Sequence, residues 1–172
     1  MNKQIYNYDE ETNSWIAKDF KHGKNFKIGF NCVIQENCEV GDDVIIEHFV
    51  LLKKGTKIGN NVYVDSYFKS SGNNEIGNNV TLRFNSTIAR EVIVEDDVFI
   101  SPNVMTIYSD HEGIKHPGTV IGKGSFIGTN AVIGGNVKIS PGCVVGTLSY
   151  VNNDLIEPGI YVGTPAKFKK AL

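Results

Sequence analysis

At 172 residues the chain is long enough for one domain with a substantial core. Seventeen Lys and Arg against nineteen Asp and Glu leave a net charge of −2, which gives no electrostatic footprint for nucleic acid or an anionic membrane surface. No apolar run approaches the ~18 residues of a membrane span, no apolar leader stretch opens the chain, and three cysteines, an odd number, frame no disulfides; the expected location is the cytoplasm.

Residues 1–27 do not repeat. They hold the single tryptophan, Trp15, among Tyr6, Tyr8, Ile16 and Phe20, and read as a capping segment, since aromatic side chains bury large areas. From Ile28 an aliphatic residue recurs every six positions: Ile28, Ile34, Val40, Ile46, Leu52, Ile58, Val64, then Ile76 to Ile100, and again Ile121 to Val151. Ser70 and Thr106 break the column. The residue four positions later is small or β-branched, as at Cys32, Val44, Thr56, Val80 and Ala131. Helices want apolar spacing near 3.6 and strands want alternation. A fixed period of six predicts a hexapeptide β-solenoid over 28–151, with three hexads per triangular coil and about seven coils. The aliphatic residue points inward, the small one sits at the tight corner, and Gly or Asn nearby answers the φ > 0 cost of the turn. Cys32, Cys38 and Cys143 all fall in the small inward column and read as core.

One segment interrupts the rhythm. Residues 110–120 read D-H-E-G-I-K-H-P-G-T-V and shift the register by three relative to whole hexads. Insertions of this kind leave a solenoid as a loop and often carry its site. His111 stands where the coil opens, so it is the candidate for chemistry; His22 and His48 read as surface residues. Residues 152–172 lose the repeat and read as a tail over the last coil, where an open end would leave strand edges unpaired.

The sequence resembles the left-handed β-helix, hexapeptide-repeat acyltransferases. The ladder carries part of this resemblance. F-N-S-T-I at 84–88, V-F-I-S-P-N-V at 98–104 and then His111 are similar in order to motifs of the maltose and galactoside O-acetyltransferases. Y-V-G-T-P-A-K at 161–167 resembles the close of acetyl-CoA-dependent members. The resemblance implies acetyl-CoA as donor, a sugar or nucleotide-sugar acceptor, His111 as general base and Asn85 as an acceptor-binding group. It places CoA along the later coils, where Gly128, Ala131 and Gly134 would admit a flat ligand and Lys167, Lys169 and Lys170 would meet its phosphates.

Three departures move the substrate away from maltose or galactoside: the short segment before the ladder, Phe126 where that branch has Trp, and Glu112 after His111 where it has Pro. The expected acceptor is an amino sugar on a nucleotide carrier or a surface-polysaccharide sugar, acetylated on O or N; maltose or galactoside is the runner-up. Two rivals share the fold. γ-Type carbonic anhydrases hold zinc with three histidines, but beyond His111 and His116 no third is in reach, position 75 being Glu75, so no metal is expected. A non-catalytic scaffold is the other. A homotrimer is expected because flat faces expose apolar rows, with Phe49, Phe68, Phe84, Phe99 and Tyr108 as contact candidates.

Overall fold

The computed structural model describes residues 5–172. It is all-β, a parallel solenoid whose chain visits three sheets in turn. Sheet I begins at Ser14–Ala17 and Val33–Ile34, sheet II at Lys21–His22 and Glu39–Val40, and sheet III at Lys27–Ile28 and Ile45–Ile46. Most strands are two residues long, one facing in and one out, and most pair in parallel with the equivalent strand 18 residues on, as Lys57 with Glu75. Sheets I and III each stack eight parallel strands, so the solenoid has about eight turns. Among the described residues no helix is long and apolar enough to cross a membrane.

The core is the aliphatic column. Ile34, Leu52, Leu82, Ile88, Ile100, Ile121 and Ile133 have no exposed surface, and the small column, with Cys32, Cys38 and Cys143, is buried beside them. Ser70 joins this core by making a polar network with Thr56 and Asn74, and Asn74 donates to the Ala89 carbonyl. Among the described residues every buried side-chain polar atom is hydrogen-bonded, which is what burial of such groups requires.

Two corrections concern the ladder's punctuation. First, it starts earlier than Ile28: Trp15 pairs in parallel with Val33, and Lys21 with Glu39. Phe20 and Phe26 occupy the small column of this first coil and pack at 5.4 Å against each other. No coil lies beneath, so the steric limit that demands small residues elsewhere is lifted, and aromatics plug the end. At this end Tyr6–Asp9 stands outside the parallel stack, as an antiparallel strand on Ser14–Ala17. Second, left-handed backbone falls on the third corner residue, at Asn31, Asn37, Asp43, Asn61, Asn79, Asn85 and Asn103, and not on the glycine that opens the corner. That glycine serves close approach. A Cβ on Gly77 would sit 2.5 Å from the Asp96 Oδ1 and 2.7 Å from the Asp96 backbone nitrogen in the next coil.

The other end is also finished by an antiparallel strand. Ile160–Val162 extends sheet III in parallel with Val144–Val145, and Lys167–Lys170 folds back on it. Among the expected contact residues, Phe68 is buried in the core.

Candidate functional site

The solenoid has three corners. The turn from sheet III to sheet I carries Asn85; the turn from sheet I to sheet II carries the insertion. Ile93 pairs with Val120, nine residues beyond the 18-residue spacing of its neighbours. The extra residues leave after Met105–Thr106 and return at Thr119.

The loop is a small hairpin organised by Asp110. Ser109 bridges Lys115 in antiparallel fashion, and the His116 N–H donates to the Tyr108 carbonyl at 2.6 Å. One Asp110 oxygen accepts the N–H groups of Glu112 and Ile114 at 3.0 and 2.9 Å. The other lies 3.0 Å from His116 Nε2. The hydrogen bond with His116 is the largest influence holding the Asp110 carboxyl below its ordinary range, with the backbone donors adding to it. The hairpin lies flat on the next coil because position 135 is glycine: a Cβ there would be 2.5 Å from the His116 Cβ.

His111 sits at the tip with its side chain 90% exposed, and its nearest charged partner is Glu112 at 3.9 Å. Both histidines border a hollow of about 320 Å³ that Ser109, Asp110, Gly135 and Tyr150 complete. A second hollow of about 570 Å³ lies beyond His116, among Asn136, Asn152, Asn153 and Asp154. Another hollow, about 610 Å³, lies on the outer face of sheet II around Lys57, Glu75, Ile93 and Lys123.

The other expected site residues are placed elsewhere. Asn85 is one rung of an asparagine ladder: its amide donates to Asn103 Oδ1 at 3.0 Å and accepts from Lys69 Nζ at 2.8 Å. A strand with its flanking residues separates its corner from the loop's, roughly 13 Å for about four extended residues, so one protomer does not bring Asn85 and His111 together. Ala131 is fully buried, and its side chain cannot line a ligand groove. A Cβ on Gly128 would stand 2.7 Å from the Thr147 nitrogen, and one on Gly134 3.0 Å from the Val151 carbonyl oxygen. Both glycines therefore admit the next coil. Lys167, Lys169 and Lys170 are exposed on the terminal strand.

His48 is engaged structurally, stacked on Phe30 at 5.4 Å with its Nδ1 accepting the Phe30 N–H at 2.9 Å. Among the described residues no three His, Cys, Asp or Glu converge to hold a metal ion. The Asp110–His116 pair is the feature that reasoning from sequence missed. Two signals marked it: a His-Pro pair at 116–117, and the Gly134–Gly135 doublet one coil later.

Fold and loop together define a hexapeptide-repeat β-solenoid with a single histidine-bearing insertion. The profile of the GMPPB C-terminal domain family matches residues 11–112, more than half of the chain, and the chain belongs to that family. No curated protein sequence matches it. Among solved structures it is similar to the UDP-N-acetylglucosamine O-acyltransferase LpxA from Moraxella catarrhalis, with a TM-score of 0.74, 20% identity, and coverage of 92% of this chain and 72% of that one. A point mutant of AntD, an N-acyltransferase from Bacillus cereus, in complex with dTDP and coenzyme A, matches with a TM-score of 0.54 at 22% identity, covering 99% and 91%. The chain spans 58% of the acetyltransferase domain of PglB from Neisseria gonorrhoeae, at 17% identity and a TM-score of 0.48. At these identities the likeness defines the fold.

Proposed function

We propose that the protein is an acetyl-CoA-dependent acetyltransferase acting on a sugar, most specifically an amino sugar on a nucleotide carrier or a surface-polysaccharide sugar. The observation that carries this reading is the insertion: the one break in an otherwise regular solenoid holds two histidines and a carboxylate over a hollow. The motifs at 84–88, 98–104 and 161–167 support it, as does the likeness in fold to AntD, whose structure holds dTDP and coenzyme A. The acceptor hydroxyl or amine attacks the thioester carbonyl, the C–S bond breaks, and CoA leaves as its thiol. A histidine of the loop takes the acceptor proton, for which a group titrating near neutrality is suited.

Two histidines compete for that role. His111 holds the position that the motif order marks. His116 has the geometry expected of an oriented base, because Asp110 fixes one ring nitrogen and leaves the other for substrate. His111 has no such orienting partner in its own protomer, and Asn85 stands on a different corner. A homotrimer answers both points by laying a neighbour's corner beside the loop. Lys167, Lys169 and Lys170 are then candidates for the CoA phosphates.

The test is thiol release from acetyl-CoA against a panel of nucleotide-linked amino sugars and simple sugars, with His111→Ala and His116→Ala in parallel. Loss of at least about a hundredfold in one variant alone assigns the base. Mixing inactive His111→Ala and Asn85→Ala subunits restores activity if the site is shared between subunits. A non-catalytic scaffold is the second reading, favoured by the family match, whose description is that of a C-terminal domain of another protein. No thiol release with any acceptor, together with no CoA binding, establishes it.

A further inference from the structure

The corner that carries the loop has a second feature, one to three coils earlier. Lys53 and Lys54 follow the sheet I strand Leu51–Leu52, Ser71 and Gly72 follow Lys69–Ser70, and Arg90 follows Thr87–Ile88. Lys53, Lys54, Ser71 and Arg90 border a notch of about 200 Å³ together with Gln35 and Asn73. The middle coil makes the notch. Gly72 has φ +103°, and a Cβ there would stand 2.8 Å from the Lys54 carbonyl oxygen, so no side chain can fill the corner between the cations. Lys54 and Arg90 are two coils apart, roughly 9–10 Å along the axis, with the Ser71 hydroxyl and Asn73 amide between them.

Among the described residues Lys53, Lys54 and Arg90 form no ion pair. Of the carboxylates on this corner, Asp19 accepts the Asn37 N–H at 3.0 Å, Glu36 the Tyr6 hydroxyl at 2.8 Å and Glu91 the Tyr108 hydroxyl at 3.4 Å, and Lys54 is near enough to Glu36 to help hold its carboxyl below the usual range. Three cations around a hollow with hydroxyl and amide donors suit a multiply charged oxyanion, and the planar guanidinium suits two of its oxygens at once.

We propose that this notch binds a diphosphate, and that it anchors the nucleotide carrier of the acceptor below the histidine loop. Arg90 lies one coil, about 5 Å, before Tyr108, where the loop begins. A diphosphate held there leaves the attached sugar beside the hollow of His111 and His116. The link to an acceptor rests on the acyltransferase reading; the binding of diphosphate does not, because it needs no acyl donor.

The experiment is calorimetric titration of the intact protein with inorganic pyrophosphate, with GDP and with dTDP, in about 0.15 M salt. Arg90→Gln, Lys54→Gln and Arg90→Lys are compared with Lys138→Gln, a control on sheet II. Saturable binding is expected, weakened about tenfold by Arg90→Gln and by Lys54→Gln, partly restored in Arg90→Lys, and unchanged in Lys138→Gln. Tighter binding of one nucleotide than of pyrophosphate identifies a nucleotide carrier; equal binding identifies free diphosphate as the ligand. Absence of binding, or equal weakening by Lys138→Gln, overturns the site. Binding without thiol release in the acceptor assay would leave the notch standing and remove the acyltransferase.

Discussion

Gly135→Ala separates the loop from the scaffold that carries it. The added Cβ would meet the His116 Cβ at 2.5 Å and the His116 carbonyl oxygen at 3.0 Å. Real contacts of this kind begin near 3.4 Å, so the hairpin must lift by about 1 Å. The backbone at Gly135 itself needs no left-handed conformation, so the substitution acts through crowding, mainly against His116 and secondarily against the Ile107 carbonyl oxygen at 3.3 Å. Crowding of this size costs about 2 kcal/mol, or a melting temperature lower by ~4–8 °C for a domain of this length. The larger effect is local. The His116 N–H bond to Tyr108 and the His116–Asp110 contact both depend on the hairpin lying flat. Amide exchange at His116 should quicken while the buried strands Phe99–Ile100 and Val132–Ile133 keep their protection. Acetyl transfer should fall by about a hundredfold, the effect of misplacing a catalytic group by ~1 Å. Unchanged exchange at His116 in a folded Gly135→Ala protein would refute the claim that this glycine positions the loop.

Gly77→Ala should cost about 3 kcal/mol, since its Cβ collides with the Asp96 backbone and disrupts the Asn78 N–H bond to Asp96. Gly124→Ala, with nothing within 4 Å but φ +66°, should cost only about 1 kcal/mol; thermal melts compare the two. Asn85→Ala should destabilise by about 1 kcal/mol and Asn85→Gly by less, if the residue's main duty is its left-handed corner; an equal rise in KM for both would mark acceptor binding as well. Burial pushes the thiols of Cys32, Cys38 and Cys143 above their usual range, so a thiol reagent at pH 8 should modify none in the native protein and all three in denaturant. Because the Asp110 carboxyl is held below its ordinary value of 3.8, its contribution to the loop is complete above pH 3.8 and is lost as pH falls below it. Protection of the Ile114 amide, measured by exchange, should follow that fall, and Asp110→Asn should abolish the dependence.

The period of six was enough to read the architecture, the inward column and the burial of the cysteines. It failed at the first coil because His22 stands in the aliphatic column and Phe20 and Phe26 in the small one. Those columns are constrained only where coils lie on both sides. The site was legible in one dimension. The insertion and its histidines follow from the broken register, but the Asp110–His116 contact depends on how a hairpin folds back, which no period describes. At Gly128, Ala131 and Gly134 the neighbouring coil supplies a packing reason for the small residue. A small residue in a solenoid answers its neighbouring coil before it answers a ligand, and sequence alone does not say on which side of the backbone the crowding lies.

The corner chemistry carries one further rule that reaches across the insertion. On the turn from sheet II to sheet III, four opening glycines lie under an Asp or Asn of the next coil: Gly23 under Asp42, Gly41 under Asn60, Gly59 under Asn78 and Gly77 under Asp96. The carboxyl or amide oxygen occupies the space a Cβ would take and accepts an N–H from the coil below, as Asn60 N–H donates to Asn78 at 2.8 Å. The next coil up has Lys123 instead, which offers no such oxygen. Position 95 is accordingly Glu, and the direction reverses: the Glu95 carboxylate accepts the Lys123 N–H at 2.7 Å. Glycine under Asp or Asn, and Glu under Lys, are therefore alternative solutions to one packing problem. Gly77 and Asp96 stand nineteen apart, Glu95 and Lys123 twenty-eight, and the difference of nine equals the length of the insertion. The loop thus leaves the coil without disturbing the corner beyond it, which is why a rigid solenoid can carry a site of its own shape.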